Sequence, residues 1–223
     1  MAGKRSYGDP CGIARALDVV GERWALLVVR ELVLGPQRFT DLKAHLPGIA
    51  TDVLSQRLRQ LEQAGVLQQT TLAPPASGRA YALTDRGRRL EPVLHALGRW
   101  GSQERFAAVT HEMSVDAFGV ALSTVFDPVR ARGLDATVAL VVDGDELVAA
   151  VHDDVLDLRR GVAEQPEARI EGSVAALREL LWRGRSLPEA EADGSVTVGG
   201  MRSVVRRFVT LFPAGPRGAE PSR

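Results

Sequence analysis

One helical leucine pattern constrains the fold of this chain more than any other feature. Three leucines recur at positions i, i+4 and i+7 of one helical face, namely Leu54, Leu58 and Leu61. We expect this helix to span residues 51–64, with Thr51 or Asp52 as its cap and Gly65 as the left-handed residue that ends it. The pattern predicts a helix that is anchored on one side and open on the other.

Helical patterns precede this helix, and a β-hairpin pattern follows it. Residues 11–32 predict two short helices or one bent helix, and residues 41–45 predict another short helix capped by Thr40. Residues 66–72 and 79–83 are rich in strand-forming residues and flank a turn rich in Pro, Ser and Gly. Three helices and a hairpin form the order of a winged helix-turn-helix, whose recognition helix enters the major groove of DNA.

The side of the 51–64 helix that faces away from the leucines is polar. At 100° per residue, the outward and flanking positions are Thr51, Asp52, Ser55, Gln56, Arg57, Arg59, Gln60 and Gln63. Gln can bind adenine and Arg can bind guanine through paired hydrogen bonds. Arg38, before the second predicted helix of this motif, and Arg79, at the base of the wing, are candidates for phosphate or minor-groove contacts. A solvated helix would carry the same residue types, so the prediction rests mainly on the order of elements.

The net charge of zero hides an asymmetry between the two halves of the chain. Residues 1–110 contain 15 Lys/Arg and 10 Asp/Glu, whereas residues 111–223 contain 13 and 18. The first half is therefore the better candidate for binding double-stranded DNA. Two merely solvated surfaces would also produce this difference.

The composition argues against several other classes of protein. Cys11 is the single cysteine, so neither a disulfide within the chain nor a cysteine-rich zinc site is expected. No apolar run has the length of a membrane helix, and residues 1–10 lack a signal-peptide pattern, which predicts a cytoplasmic protein without a membrane partner. The four histidines are scattered, and a hairpin turn explains His152-Asp153-Asp154. We expect no enzyme activity, no metal and no cofactor.

The second half changes to a mixed pattern of strands and helices. Thr84 is expected to cap a helix that carries an apolar stripe from Leu90 to Trp100. Beyond a helix at 113–126, strands are predicted at 136–142, 146–152, 155–159, 168–171 and 195–198, with helices at 173–182 and 201–212. Asp143-Gly144 favours a tight type I′ turn. The predicted fold class is α+β, with domains at 1–110 and 111–213, a mainly antiparallel sheet in the second, and a disordered tail at 214–223.

Several sequence blocks in residues 11–101 resemble the HxlR-type family of bacterial winged-helix regulators. They include Gly21-Glu22-Arg23-Trp24, residues 34–39, Leu54-Ser55-Gln56-Arg57-Leu58, residues 61–65 and Tyr81-Ala82-Leu83-Thr84. The resemblance implies a homodimer with terminal helices at its interface, a near-palindromic operator, and control by a small molecule or an oxidant. The sequence departs from the family at Gly12, where proline is common.

Residues 115–212 resemble sterol-carrier-protein-like domains, in which a sheet covered by helices encloses an apolar cavity. The resemblance implies a hydrophobic small-molecule ligand, and the candidate lining residues are Leu122, Phe126, Trp182, Phe208, Leu211 and Phe212. Core packing is the alternative for each of them.

The sequence thus predicts a dimeric DNA-binding transcriptional regulator, a repressor that is modulated by a hydrophobic molecule. One alternative is a redox-responsive repressor that acts through Cys11, unless that residue is simply a small buried apolar side chain. Another alternative is a carrier of lipids or other hydrophobic molecules.

Overall fold

The computed structural model describes residues 6–72, 77–103 and 111–213, which form two compact units, Met1–Leu94 and His95–Arg223. The α+β class predicted from the sequence is confirmed. None of the helices in the described parts of the chain has both the length and the apolar character needed to cross a membrane.

The first unit contains the predicted succession of helices followed by a hairpin. Its helices and strands, in chain order, are α1 Gly12–Val20, α2 Ala25–Glu31, α3 Phe39–His45, α4 Thr51–Gln63, β1 Leu67–Thr71, β2 Arg79–Leu83 and α5 Asp85–Arg88. A further helix, α6 Glu91–Gly101, follows and contains the division between the two units. The region at 11–32 is therefore two short helices, one of the two predicted alternatives.

Two predicted helix caps are wrong. Ala50 occupies the cap position of α4, so Thr51 and Asp52 already belong to its first turn. Arg38 precedes α3, and its backbone N–H donates to the Asp41 carboxylate over 3.2 Å. In α3 an acidic side chain three residues inside the helix satisfies a free amide, so the helix does not need Thr40 as its cap.

Thr84 fastens the end of the hairpin to the start of α5. Its hydroxyl donates to the Gly65 and Val66 carbonyls over 2.6 and 3.2 Å, and it accepts from the Gly87 N–H over 3.1 Å. The predicted cap at Thr84 is confirmed. Gly87 is needed here, because an added Cβ would lie 2.2 Å from the Val66 carbonyl oxygen.

The second unit is built around a five-stranded sheet. Its elements are α7 Val115–Val125, α8 Pro128–Ala131, β3 Ala136–Val142, β4 Asp145–His152, β5 Val155–Arg160, β6 Ala168–Gly172, α9 Val174–Trp182, α10 Leu187–Ala192, β7 Val196–Gly200 and α11 Arg202–Val209. The strand order is β5-β4-β3-β6-β7, and only the β3–β6 pair is parallel. The mainly antiparallel sheet is as predicted, whereas α8 and α10 were not predicted as helices.

Two tight turns connect the three strands on one side of this sheet. Asp143 and Gly144 have φ values of 50° and 88°, and Asp153 and Asp154 have φ values of 51° and 62°. Two consecutive positive φ values are the signature of the type I′ turn that suits a two-residue hairpin. The predicted turn at Asp143-Gly144 is confirmed, and the hairpin explanation of the 152–154 acidic cluster is confirmed with it.

The two compact units divide inside α6, between Leu94 and His95. The predicted domain bounds of 1–110 and 111–213 stay a prediction. Leu94 is buried in the core of the first unit, whereas His95 Nδ1 lies 2.8 Å from the Thr124 hydroxyl of the second. One helix therefore contributes side chains to both units. Residues 104–110 and the tail at 214–223 lie outside the described residues.

A buried ionic network joins α7 to the sheet of the second unit. Asp116 is fully buried and accepts two hydrogen bonds from the Arg160 guanidinium, over 2.9 and 2.8 Å. The same guanidinium donates to Asp145 over 3.0 Å. The two carboxylates raise the pKa of Arg160 against the opposing effect of its burial. The network gives the buried Asp116 carboxylate hydrogen-bond donors where an unpaired carboxylate would be costly.

We expect Arg160→Met to lower the free energy of unfolding by about 3 kcal/mol, because it removes two hydrogen bonds from the buried Asp116 carboxylate. Urea denaturation of the full chain measures this loss. Asp145→Asn is the matched control, since Asp145 is 43% exposed and should cost less than about 1 kcal/mol. Equal losses in both variants would contradict the assigned role of the buried pair.

Candidate nucleic-acid interface

The leucine face of α4 lies in the core of the first unit. Leu54, Leu58 and Leu61 are between 0 and 1% exposed, and they share a cluster with residues of α2 and α3. The predicted orientation of the helix is confirmed. The polar residues on the opposite side of α4 therefore face away from this core.

Most of the predicted DNA-contacting residues on α4 are exposed. The exposed members are Thr51, Asp52, Gln56, Arg59 and Gln63. Ser55 is half-buried, and its hydroxyl donates to the Thr51 carbonyl within the same helix over 2.8 Å. Gln56, Arg59 and Gln63 are exposed side chains whose groups can form paired hydrogen bonds to bases, and Gln56 and Arg59 lie nearer the start of the helix.

Arg57 was predicted on the flank of the DNA-contacting surface, but it is largely buried, so its contact with DNA stays a prediction. Its side chain is buried, donates a hydrogen bond to the Gln60 side chain, and lies 3.4 Å from the Glu22 carboxylate. Its position on the helix is only about 65° from the centre of the leucine face, so its long side chain reaches the protein rather than the solvent. Arg57 therefore fastens α4 to the loop after α1.

The wing is joined by backbone hydrogen bonds to the segment that precedes α3. The Gln37 N–H donates to the Tyr81 carbonyl over 3.0 Å, and the Tyr81 N–H donates back to Gln37 over 2.8 Å. This bridge brings two predicted phosphate contacts into the same frame, because Arg38 follows Gln37 and Arg79 opens β2. Arg79 is exposed, whereas Arg38 is half-buried with its Nε covered.

The predicted ligand-lining residues of the second unit are largely buried. Leu122, Phe208, Leu211 and Phe212 are 0% exposed, whereas Phe126 and Trp182 are half-buried. Such burial is compatible with a closed cavity and equally with simple core packing, so their role in ligand binding stays a prediction.

These aromatic residues form two groups of rings. Phe212 packs against Phe208 and Phe126 with ring centroids 5.2 and 6.1 Å apart. Trp182 instead packs against Phe118, at 5.4 Å, a residue that the sequence did not indicate as a candidate. The indole N–H of Trp182 is buried without a hydrogen-bond partner among the described residues.

Cys11 lies at the start of α1 and is exposed. Its backbone N–H donates to the Asp9 carboxylate over 2.8 Å, and its side chain caps nothing. The alternative that Cys11 is a buried apolar residue is therefore wrong, and its thiol is open to reagents.

Comparison with known proteins divides the chain into two regions, whose matches overlap at residues 100–108. Residues 19–108 match the model of the HxlR-like helix-turn-helix family, and residues 100–216 match that of the alkyl sulfatase C-terminal family. The first region is 36% identical to the HTH-type transcriptional regulator YvaP of Bacillus subtilis over 89 residues, which are 40% of this chain and 82% of YvaP.

The chain belongs to the HxlR-like helix-turn-helix family, and its second region to the alkyl sulfatase C-terminal family. A second HxlR-like relative is the HTH-type transcriptional regulator sll1512 of Synechocystis, which is 39% identical over 43% of this chain and 70% of that protein. The HxlR-like assignment made from the sequence is confirmed, and the chain is a helix-turn-helix transcriptional regulator.

The family of the second region differs from the sterol-carrier resemblance that the sequence suggested. The alkyl sulfatase C-terminal model is the one that matches it. Among solved structures, the sec-alkylsulfatase Pisa1 from Pseudomonas is similar with a TM-score of 0.43 and 22% identity. The match covers 47% of this chain and only 17% of Pisa1.

The contrast between Arg57 and Arg59 can be tested by stability measurements. We expect Arg57→Ala to lower the free energy of unfolding by about 1 to 2 kcal/mol, because Gln60 and Glu22 lose a partner beside the core. Arg59→Ala should change it by less than about 0.5 kcal/mol, because Arg59 is exposed. Urea denaturation decides, and a larger loss from Arg59→Ala would contradict the orientation of α4.

Proposed function

We propose that this chain binds operator DNA through the exposed side of α4 and represses transcription. One observation supports the proposal most directly: α4 has a buried leucine face, and Gln56 and Arg59 on the same helix are exposed. In a winged helix-turn-helix the recognition helix, here α4, enters the major groove, where both side-chain types can distinguish bases. Arg79 on the wing supplies a cation for the adjacent phosphates.

We further propose that the regulator acts as a homodimer. Val93, Leu97 and Trp100 lie along one side of α6 and are 45, 44 and 64% exposed. Ile13 and Leu17 on α1 are also exposed, at 72 and 42%. Exposed apolar rows of this kind favour a protein interface. A two-fold symmetric pair of recognition helices would bind half-sites about one helical turn, roughly 34–36 Å, apart on a near-palindromic operator.

Footprinting on the promoter regions that flank the gene for this chain tests the proposal. We expect protection of two half-sites by two protomers, and a loss of about tenfold or more in the ratio of operator to random-DNA affinity for Gln56→Ala or Arg59→Ala. The same variants should raise expression from a promoter fusion, because a weakened repressor leaves the promoter free.

Two substitutions in the second unit serve as matched controls. Arg159→Ala and Gln165→Ala remove exposed side chains of the same types and should leave operator preference unchanged. If the wild-type protein showed no preference for operator over random DNA, the proposal of operator binding would be refuted and the carrier alternative favoured. Protection of a single half-site by one protomer would refute the homodimer.

The exposure of Cys11 favours a second candidate, in which an oxidant releases the regulator from DNA. Because the chain has one cysteine, the available products are a disulfide between protomers, a mixed disulfide with a small thiol, or a sulfenic acid. Repeating the operator-binding assay in the presence of hydrogen peroxide tests this redox candidate. Release that persists unchanged in Cys11→Ser would eliminate the redox candidate.

We also propose that the second unit receives a hydrophobic effector, without any catalytic role. The ring pair Trp182–Phe118 and the unpartnered indole N–H support a site there, since a ligand carbonyl or hydroxyl could accept that hydrogen bond. The identity with Pisa1 covers too little of that enzyme to transfer its activity.

Titration with 1-decanol tests the effector site through tryptophan fluorescence. We expect a saturable change in the wild type that Trp182→Phe abolishes and Trp100→Phe retains, because Trp100 is an exposed residue of α6. An identical change in both variants would contradict a site at Trp182.

A further inference from the structure

A pocket of about 500 Å³ opens in the first unit. It lies between α1 on one side and Val66, Arg86 and Leu90 on the other; Val66 precedes β1, Arg86 belongs to α5, and Leu90 follows α5. Four apolar side chains, which we call its apolar floor, line it: Val20 and Val66 are buried, and Val19 and Leu90 are half-buried. Sites for small molecules have volumes of about 300–1,000 Å³ and are lined mostly by apolar side chains with a few polar groups. The pocket therefore has the size and the lining of a small-molecule site.

Two arginines line this pocket. Arg15 on α1 and Arg86 on α5 both line it and are exposed. Within the described parts of the chain, neither guanidinium has a hydrogen bond or an ion pair. The acidic lining residue, Asp18, directs its carboxylate oxygens to the Ser6 hydroxyl and the Tyr7 N–H, over 2.7 and 2.9 Å. Two cations beside an apolar floor thus remain available to a ligand.

The position of Arg86 relative to this floor is fixed by the backbone. Thr84 and Gly87 flank Arg86 and hold α5 against the segment Gly65–Val66 through the hydrogen bonds described above. The absence of a side chain at Gly87 lets the first turn of α5 approach the Val66 carbonyl closely. The backbone of Arg86 therefore belongs to a short turn that hydrogen bonds hold in place. This restraint reduces the conformational entropy lost when Arg86 binds a ligand.

We propose that this pocket binds a small amphipathic organic anion, a carboxylate on an aromatic or short aliphatic body. The carboxylate accepts hydrogen bonds from Arg15 and Arg86, because guanidinium groups match its planar, paired geometry. The apolar body covers Val19, Val66 and Leu90. A neutral molecule of the same shape lacks the charge-assisted bonds and binds more weakly.

The pocket and the apolar row of α1 use different sides of that helix. At 100° per residue, the α1 lining positions 12, 15, 16, 18, 19 and 20 centre about 130° away from Ile13 and Leu17. A ligand can therefore occupy the pocket without displacing a protomer that covers Ile13 and Leu17. The site is independent of the proposed effector site in the second unit, and it needs no DNA.

Isothermal titration calorimetry of the full chain with 4-phenylbutyrate tests the proposal. We expect saturable binding, weakened about tenfold or more by Arg15→Gln or Arg86→Gln, since each removes a charge-assisted bond. The amide of the same acid should lose a similar factor against the wild type. Arg89→Gln is the matched control, because Arg89 is exposed at the end of α5 and does not line the pocket.

Two further variants assign the location of the binding site. Ala16→Phe places a ring in the pocket and should abolish binding, whereas Trp182→Phe should leave it unchanged. The proposal is overturned if 4-phenylbutyrate fails to bind at about 10 mM, a concentration that occupies even a millimolar site. It is equally overturned if the amide binds as well as the acid, or if binding survives in Arg86→Gln and disappears in Trp182→Phe. None of these outcomes depends on operator binding, so a failure of this proposal can be distinguished from a failure of the proposed function.

Discussion

The burial of Leu54, Leu58 and Leu61 sets the orientation on which the candidate DNA interface depends. Each is at most 1% exposed, and a fully buried leucine contributes about 1.5–3 kcal/mol to stability. The polar residues on the other side of α4 contribute little packing of their own. Gln56 and Arg59 are therefore free to be selected for what they contact outside the chain, because the leucines already hold the helix in place.

Periodicity predicted the parts of the fold in which one local rule decides the structure. The leucine spacing located the inner face of α4, and the sequences Asp143-Gly144 and Asp153-Asp154 correspond to turns with two positive φ values. Thr84 caps α5 as expected from its residue type. In each of these places a short local pattern identifies the structure, although some of its contacts, such as those of Thr84 with Gly65 and Val66, lie further away in the chain.

The sequence was a poorer guide wherever the partner is distant. Arg57 looked like a surface residue because Glu22, its ionic partner, lies far back in the chain. The bridge between Gln37 and Tyr81, which ties the wing to the start of α3, joins residues with no common pattern. Trp24 adopts φ 78°, a left-handed conformation that bulky residues rarely take, with the Arg23 guanidinium 5.3 Å from its ring. No local propensity predicts such a conformation, since surrounding contacts must enforce it.

The buried arginine of the first unit connects the proposed anion pocket to the proposed DNA interface. Val20 lies in the pocket floor and in the same core cluster as the α4 leucines, and Glu22, two residues later, pairs with Arg57 on α4. A molecule in the pocket can change DNA affinity only if it binds two positions of α1 with different strength. Interiors are closely packed. A shift of α1 would therefore displace α4 as well, unless Val20 and the Glu22–Arg57 pair rearranged. Any such shift would therefore reach α4 first at Arg57, through its contact with Glu22.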